Sequence, residues 1–205
     1  MSNKLTVIPK LMLEFGSPTI IFFLQAVTDG ASLQSLVYQD VSAINGGSID
    51  IDQNIGLQVA GTAHGIGIDG SYINPPGQVI NAIYNSPFSL PLINFYDTTT
   101  GTVEFTYSTD GVKNAPLSWN FYFYWNCLQI TSRFEVKVND PVTLTMNTKM
   151  YVAVSFNGLK TGDTINDISS LTPYELDWSS MTNPTLSITR NGDDALEYKL
   201  QNGNA

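Results

Sequence analysis

The sequence predicts an all-β fold, an antiparallel β-sandwich of jelly-roll-like or Greek-key type with one or two short helices. Apolar and polar residues alternate over many short runs, which is the period of a half-buried strand. Turn residues interrupt these runs at intervals of about ten positions, as they do in sandwiches and barrels. With 205 residues, 42% of them hydrophobic, the chain is predicted to form one domain, residues 1–205, with a weak subdomain break near residues 139–141.

The expected strands follow one another along the whole chain. Alternation or an unbroken apolar run predicts them at residues 5–8, 18–27, 48–52, 79–84, 92–96, 102–107, 117–127, 150–156, 186–190 and 195–200. In strand 48–52, Ile49 and Ile51 alternate with Asp50 and Asp52, so one face of that strand should meet water. Residues 61–76 are rich in glycine and are expected to form an irregular loop with one embedded extended piece.

Three dipeptides with a strong turn preference should connect strands, because Gly and Asn tolerate the backbone angles that tight turns require. Asp110-Gly111 should join strands 102–107 and 117–127 into a hairpin with a loop longer than two residues. Asn157-Gly158 should end strand 150–156, and Asn191-Gly192 should occupy the two central positions of a tight hairpin.

Two short helices are expected among the strands. Thr172 is a capping residue, Pro173 suits the first helical position and Glu175 the third, which predicts one or two helical turns that end before Pro184. A second short helix is expected within residues 28–38.

Charge and hydropathy exclude several classes of partner. Charged residues make up 13% of the chain, about half of what is typical, and the net charge is −9. Nucleic acids and anionic membranes need clustered Lys and Arg, so neither is an expected partner. A neutral polar surface repels itself weakly, which favours a homo-oligomer. The best apolar run, residues 20–24, is too short to span a bilayer, and no signal peptide is apparent. We therefore expect a cytoplasmic protein, or one released without a cleaved signal peptide.

The aromatic strand 117–127 is the most informative segment for function. A strand turns alternate side chains to opposite faces. One face would carry Trp119, Phe121, Phe123, Trp125 and Cys127, which suits a core. The other would carry the candidate ligand-binding residues Asn120, Tyr122, Tyr124 and Asn126. If the protein's own loops cover this second face, it is structural. If it is exposed, it suits a protein interface or a glycan, since tyrosine rings stack on sugars and amides bind hydroxyls.

Metal and catalytic sites find little support in the sequence. Asp50 and Asp52 are weak calcium candidates, but the EF-hand pattern fails because its sixth and twelfth positions hold Ile55 and Gly61. The chain has one histidine, His64, and one cysteine, so a zinc site is not expected. No nucleophile motif or carboxylate pair stands out, and we predict neither a cofactor nor an enzyme.

Residues 124–127, Tyr-Trp-Asn-Cys, resemble the aromatic-Trp-Asp-Cys stretch of aegerolysin-like lipid-binding β-sandwiches. The resemblance covers four residues, with Asn in place of the acid, and no function is transferred from it. The leading hypothesis is a non-catalytic, lectin-like β-sandwich that binds glycans. The alternative is a self-assembling structural protein that forms inclusions or filaments, and a third is a membrane-active, toxin-like protein.

Overall fold

The structure, a computed structural model, describes residues 3–11, 18–28, 31–51, 55–59, 65–67, 72–73, 92–97, 102–106, 118–125, 128–137, 139–146, 149–178, 180–191 and 195–203. Nearly all of their regular structure is β, which confirms the all-β prediction. A 3-10 helix of one turn, Ser169–Leu171, precedes β17. The strands are β1 (Lys4–Lys10), β2 (Thr19–Phe23), β3 (Ala26–Thr28), β4 (Ala31–Ser32), β5 (Gln39–Ser42), β6 (Gly47–Asp50), β7 (Ile55–Val59), β8 (Gly65–Gly67), β9 (Tyr72–Ile73), β10 (Leu92–Asp97), β11 (Thr102–Thr106), β12 (Ser118–Trp125), β13 (Leu128–Gln129), β14 (Phe134–Lys137), β15 (Pro141–Met146), β16 (Met150–Ser155), β17 (Tyr174–Leu176), β18 (Thr185–Arg190) and β19 (Leu196–Gln201).

The chain forms two compact units, each with two sheets. Unit 1 is assembled from three separate segments and unit 2 from two. Residues 139–141, where a break was expected, lie inside unit 2, and the single domain stays a prediction. Unit 1 comprises residues 1–23, 36–53 and 149–205, and unit 2 comprises residues 24–35 and 54–148.

The first sheet of unit 1, here called the terminal sheet, contains both the first and the last strand and has the order β19-β18-β1-β6. β1 pairs in parallel with β18 and antiparallel with β6, so this sheet is mixed rather than purely antiparallel. Alternate residues of its strands are buried, as the sequence predicted for residues 5–8 and 48–52. The buried face consists of Leu5, Val7, Ile49, Leu186 and Ile188, each at most 2% exposed.

The second sheet of unit 1, the inner sheet, has the order β17-β16-β2-β5. Every residue of β2 and all but Tyr151 of β16 are buried. Strands buried on both faces read as continuous apolar runs, which explains why residues 19–23 do not alternate. The loop between β16 and β17 covers one face of this sheet with Leu159, Ile168 and Leu171. Beneath these side chains lies a packed cluster of Ile21, Phe23, Val37, Ala153 and Ile165.

The carboxylate of Asp40, in β5, binds the loop between β16 and β17 through three hydrogen bonds. Its Oδ1 accepts hydrogen bonds from the amide and hydroxyl of Thr161, both at 2.8 Å, and its Oδ2 accepts one from Lys160 Nζ at 3.2 Å. Burial by itself would raise the pKa of Asp40, but these bonds to the charged form outweigh it and lower the pKa. The Val37 amide also donates to Asp163 O at 2.9 Å, so the loop is held by side chain and backbone together.

Unit 2 contains a sheet of order β10-β11-β15-β3-β4 and a sheet of order β13-β12-β7-β8-β9. β12 is the aromatic strand that the sequence predicted. It pairs antiparallel with β7 on one side and with β14 and then β13 on the other. Residues 61–76 contribute two short strands, β8 and β9, instead of one extended piece.

Both predicted helices are wrong in the described residues. Thr172 has φ 46° and ψ 62°, a left-handed conformation in which the chain turns instead of entering a helix, and the residues after Pro173 form β17 on the edge of β16. Residues 28–38 contain β4 and isolated bridges at Ser35 and Leu36. Pairing with distant strands outweighs the local capping signal at these positions.

The hairpin predicted between residues 102–107 and 117–127 is also wrong. β11 pairs with β10 and β15, whereas β12 belongs to the other sheet of unit 2. Residues 18–27, expected as one strand, divide into β2 in unit 1 and β3 in unit 2. The predicted turn at residues 110–111 and the predicted strand 79–84 lie outside the described residues.

The C-terminal hairpin of β18 and β19 is confirmed, but its tight turn is wrong. Arg190 pairs with Leu196, and the Asn191 amide donates to Ala195 O at 3.0 Å. The Asn191 side chain also accepts a hydrogen bond from the Ala195 amide at 3.0 Å. Asn191 therefore closes the ladder instead of forming the centre of a two-residue turn; Gly192 lies outside the described residues.

The turn after β16 is confirmed. β16 ends at Ser155, and Gly158 has φ 69° and donates its amide to Ser155 O at 3.4 Å. In the described part of the chain, no helix is long and apolar enough to cross a membrane.

Candidate functional site

The face predicted to bind ligands lies on β12, and the structure describes two of its four side chains. Asn120 is exposed and Tyr122 is half-buried, with a further contact of its own. Tyr124 lies in the strand, where its backbone pairs with Gly56 on one side and Gln129 on the other. Asn126 lies outside the described residues. The structure therefore brings three of the four positions onto one strand.

The residues that pair with β12 indicate that one face of this strand meets water and that the other is buried. Asn120 pairs with Glu135, which is exposed, and Phe121 pairs with Phe134, which is 9% exposed. Directly paired residues of adjacent strands project to the same side of a sheet. The side of Asn120 is therefore open to water at this pair, while the side of Phe134 is buried.

Of the two carboxylates that were weak calcium candidates, the structure describes Asp50. Asp50 Oδ1 lies 3.8 Å from Lys4 Nζ, and it accepts no hydrogen bond from the described residues. This oxygen is itself buried although 46% of the side chain is exposed. A positive neighbour opposes binding of a second cation. Asp52, like His64 and Cys127, lies outside the described residues, so calcium binding at this pair stays a prediction.

One concave surface of unit 1 is a cleft of about 460 Å³, here called the aromatic cleft. It lies where the end of β16 and the start of β17 meet the end of β18 and the start of β19. Three of its residues are aromatic, and one is a cation. The lining consists of Phe156, Thr172, Pro173, Tyr174, Arg190, Ala195, Leu196 and Tyr198.

The floor of the aromatic cleft is a stacked pair of tyrosines. The rings of Tyr174 and Tyr198 are 5.0 Å apart between centroids and 5° from parallel. Tyr174 is 39% exposed and Phe156, just after β16, is 59% exposed. More than half of the Phe156 side chain is therefore accessible to a ligand. The cleft therefore presents two accessible aromatic rings, one of them held from beneath.

Local backbone structure brings Tyr174 to this place. The Asp167 carboxylate accepts hydrogen bonds from the Ser169 hydroxyl at 2.6 Å and the Ser169 amide at 3.0 Å, which starts the 3-10 turn. The bond from the Ser169 hydroxyl is the main reason that the pKa of Asp167 is lowered. Thr172, in its left-handed conformation, then ends the turn and directs the chain into β17.

The hydroxyl of Tyr198 is buried; it lies near the Val154 backbone, but no group among the described residues meets hydrogen-bond geometry with it. Burial raises the pKa of Tyr198 to about 12, against a smaller lowering effect of the Val154 backbone. Because a buried phenolate is costly, this tyrosine stays neutral through the physiological range. It serves the cleft as a flat support and not as an acid or base.

Arg190 is the one charged side chain in the described lining. Glu175 binds Lys149, whose pKa it raises through that hydrogen bond, and Glu197 accepts from Asn191 Nδ2 at 3.4 Å. The acids nearest to Arg190 in sequence, Asp193 and Asp194, lie outside the described residues. Arg190 also has a further interaction of its own in the structure.

Sequence reasoning missed the aromatic cleft because its residues come from four separate places between 156 and 198. Tyr174 and Pro173 had been assigned to a helix, and Phe156 to the end of a strand. The available signal was the set of aromatic residues next to predicted strand ends, which needs the strand order before it can be used.

Among the described residues, no group of three or more His, Cys, Asp and Glu side chains could hold a metal ion. A comparison of the chain with models of known protein families, with curated proteins and with solved structures found no match. Any function assigned to this chain therefore has to be argued from its own residues and their geometry.

Proposed function

We propose that the protein binds glycans without catalysis, and that the aromatic cleft of unit 1 is the binding surface. The observation that carries this proposal is the pair of accessible rings, Tyr174 and Phe156, on one cleft of about 460 Å³. Small-molecule sites have volumes of roughly 300–1,000 Å³ and combine apolar walls with a few polar groups. A sugar ring offers apolar C–H faces to aromatic rings and hydroxyls to the polar groups around them.

The stacking of Tyr198 against Tyr174 favours ligand binding on the other face of Tyr174. A ring that is already stacked on Tyr198 loses little conformational freedom when a ligand covers its other face. Thr172 at the rim is exposed and offers a hydroxyl as donor and acceptor. The arrangement is thus a prepared flat platform with polar groups at its edge.

The composition of the cleft supports binding over catalysis. Glycoside hydrolysis uses a pair of carboxylates on either side of the scissile bond. The described lining of the cleft contains no carboxylate, histidine or cysteine. Burial raises the pKa of Tyr198 to about 12, so this tyrosine is protonated at neutral pH.

A glycan array with matched variants tests the proposal. Phe156→Ala removes an exposed ring from the cleft, and Ile44→Ala removes a side chain that is 64% exposed elsewhere in unit 1. We expect wild type and Ile44→Ala to retain the same glycans and Phe156→Ala to lose them, with all three melting alike. Unchanged retention by Phe156→Ala would move the binding site away from the cleft.

A second glycan surface remains proposed on β12, from Asn120, Tyr122, Tyr124 and Asn126. It is favoured by the exposure of Asn120 and by the amide of Gln129, which pairs with position 124. This surface and the aromatic cleft belong to different units, so variants in one should leave the other intact.

The second candidate function is self-assembly into a homo-oligomer. It is favoured by Ile8, which is 43% exposed and pairs with Ser187 in the terminal sheet. An exposed isoleucine between strands offers apolar area to a second copy. Size measurement in dilute buffer checks this: we expect Ile8→Thr to reduce the mass of the assembly. A monomeric wild type would exclude self-assembly under these conditions.

For the fold, we propose that the two sheets of unit 1 form the sandwich that the sequence predicts. Tyr38 directly precedes β5 of the inner sheet, and its amide donates to Phe22 O of β2. Its hydroxyl donates to Asp50 O of the terminal sheet at 3.0 Å. The Tyr174–Tyr198 stack makes a second connection between the same sheets. Tyr38→Phe should cost about 1 kcal/mol in unfolding free energy if this hydrogen bond joins packed sheets. An unchanged denaturation midpoint would contradict the proposal.

A further inference from the structure

We propose that two copies of this chain pair through β19, antiparallel and about a two-fold axis at Tyr198, so that their terminal sheets continue into one another. This pairing rests on the proposed self-assembly, for which it supplies the interface, and it is independent of glycan binding. β19 lies at one end of the terminal sheet, and among the described residues it pairs with β18 alone. The outer edge of such a strand presents backbone donors and acceptors to which a second chain can bind.

The ladder of the C-terminal hairpin shows which backbone groups of β19 point to this outer edge. The Asn191 amide donates to Ala195 O at 3.0 Å, so these two residues form a hydrogen-bonded pair. Hydrogen-bonded and non-hydrogen-bonded pairs alternate along an antiparallel ladder. Every second residue of β19, counted from Ala195, therefore directs its N–H and C=O towards β18. The residues between them, which direct these groups to the outer edge, are Leu196, Tyr198 and Leu200.

The sequence of β19 is complementary to itself when two copies run in opposite directions. Residues 196–200 read Leu-Glu-Tyr-Lys-Leu. In an antiparallel pair centred on Tyr198, the outward-directed residues oppose one another and exchange backbone hydrogen bonds. Glu197 of each copy then lies opposite Lys199 of the other, at a non-hydrogen-bonded pair, where side chains approach most closely. Opposite charges at directly paired positions stabilise a strand pair.

The same charges disfavour the neighbouring registers. A shift by one residue sets outward-directed backbone groups against residues whose groups point to β18, so the ladder cannot form. A shift by two residues sets Lys199 opposite Lys199 in one direction and Glu197 opposite Glu197 in the other. Like charges that lie directly opposite each other are destabilising. The pairing centred on Tyr198 is therefore the register in which backbone and charge agree.

Both charged side chains are accessible for this contact. Glu197 and Lys199 are exposed, on the face of the sheet that meets water. Lys199 pairs with Ser187 and forms no ion pair with the described residues. Glu197 accepts one long hydrogen bond, 3.4 Å, from the neutral amide of Asn191, which leaves its negative charge in place. Each residue can therefore meet an opposite charge on a second copy.

The opposite face of β19 adds apolar contact. Leu196 and Leu200 are half-buried in one copy, and the proposed register sets them against each other across the interface. Directly paired residues project to the same side of a sheet, so each leucine covers the other. One strand pair is smaller than the interface of a stable complex, and the association should therefore depend on protein concentration.

Charge exchange at the two positions tests the pairing. Sedimentation over a concentration series compares wild type with Lys199→Glu, Glu197→Lys and the double variant that exchanges both charges. We expect each single variant to associate about tenfold more weakly than wild type, and the double variant to recover. An equimolar mixture of the two single variants should also recover, because each supplies the charge that the other needs. The control Lys10→Glu makes the same charge change at an exposed position on β1 and should associate as wild type does.

Hydrogen exchange measures the register directly. The amides of Tyr198 and Leu200 should exchange more slowly as the protein concentration rises, because pairing covers them. The amide of Lys199 is directed to β18 and should exchange at the same rate throughout. Protection that does not depend on concentration at Tyr198 and Leu200 would overturn the pairing.

The outcomes separate this interface from the functions proposed above. A wild type that stays monomeric at every concentration would refute self-assembly and this interface together. An assembly that survives both single variants, or that the double variant fails to recover, would refute the β19 pairing and leave self-assembly to another surface, such as the one around Ile8. Glycan retention by the variants is a separate readout, because neither Glu197 nor Lys199 lines the aromatic cleft.

Discussion

The two tyrosine-bearing surfaces of this protein are built in different ways. On β12 of unit 2 the residues are neighbours in sequence, and one strand carries Asn120, Tyr122 and Tyr124. In unit 1 the aromatic cleft is assembled from the ends of four strands, and its rings come from positions 156, 174 and 198. The first surface can be read from the contiguous residues 120–126, whereas the second exists only because of the strand order.

The difference shows that contiguity is a poor guide to accessibility. The surface on β12 can be recognised from its sequence pattern, yet Tyr122 is half-buried. The assembled surface has no sequence pattern, yet Phe156 is 59% exposed. The following predictions test this contrast between the units, from the largest expected effect to the smallest.

The largest effects should come from one core aromatic in each unit. Phe22 in unit 1 is completely buried, so Phe22→Ala should cost about 3–5 kcal/mol. We expect the same of Phe121→Ala in unit 2, because its partner Phe134 is 9% exposed. Denaturant titration measures both. A loss below about 1 kcal/mol for Phe121→Ala would show that the faces of β12 are reversed.

A smaller effect is expected at Asp40, which stabilises unit 1 alone. Asp40→Asn should cost about 1–2 kcal/mol at neutral pH, because it weakens the hydrogen bonds from Thr161 and Lys160. The folded pKa of Asp40 is lowered, so its contribution is complete above the unfolded pKa and is lost as pH falls through the folded pKa. Melting curves should therefore converge for variant and wild type in acid.

The control for this prediction is Asp140→Asn, which changes an exposed acid in unit 2. It should leave the melting temperature unchanged at every pH. A pH-independent difference between Asp40→Asn and wild type would refute the assigned role of the Asp40 carboxylate.

The double change Tyr122→Ala/Tyr124→Ala compares the two surfaces directly. We expect a stability loss of less than about 1 kcal/mol and retained glycan binding, because the cleft lies in the other unit. Melting, oligomer size and glycan retention are the three readouts. Lost retention at unchanged size would favour the β12 surface as the lectin site. A fall from assembly to monomer would favour self-assembly, and a large loss of stability would show that this face is buried.

The smallest effect at neutral pH is expected for Tyr198→Phe. The hydroxyl has no partner among the described residues, so its removal should leave stability unchanged or slightly raised. The folded pKa of about 12 lies above the ordinary pKa of tyrosine, 10.0, so wild type should lose stability as pH rises from 10 to 12. Tyr198→Phe should lack this loss, and urea titrations at pH 9 and 11.5 would reveal it. Destabilisation at neutral pH would mean that the hydroxyl is bonded.

Sequence reasoning succeeded where the deciding forces are local. Alternation in residues 5–8 and 48–52 is a property of each strand alone, and so is the turn at Asn157-Gly158. It failed where pairing with a strand that is distant in sequence determines the local structure. Thr172 and Pro173 are good helix-starting residues, yet β16 offers an open edge that β17 pairs with instead.

The same limit applies to the units and the candidate site. Residues 18–27 are largely apolar, and the sequence predicts a single strand there although the chain passes from one unit to the other after Phe23. The aromatic face of β12 could be predicted because the period of a strand fixes it. The cleft could not be predicted, because its lining depends on β17 and β19 lying side by side at Tyr174 and Tyr198.

The parallel pairing of β1 with β18 has a consequence for the protein's synthesis. The Lys4 amide bonds to the Asn183 side chain, 179 residues away. A ribosome adds roughly 5–20 residues per second, so the first strand waits roughly 10–40 s for its partner. All segments of unit 2 have emerged by then, and that unit can fold first. Throughout this interval β1 exposes a free strand edge, which makes the N-terminal segment the place where a chaperone, or a neighbouring nascent chain, has the longest opportunity to bind.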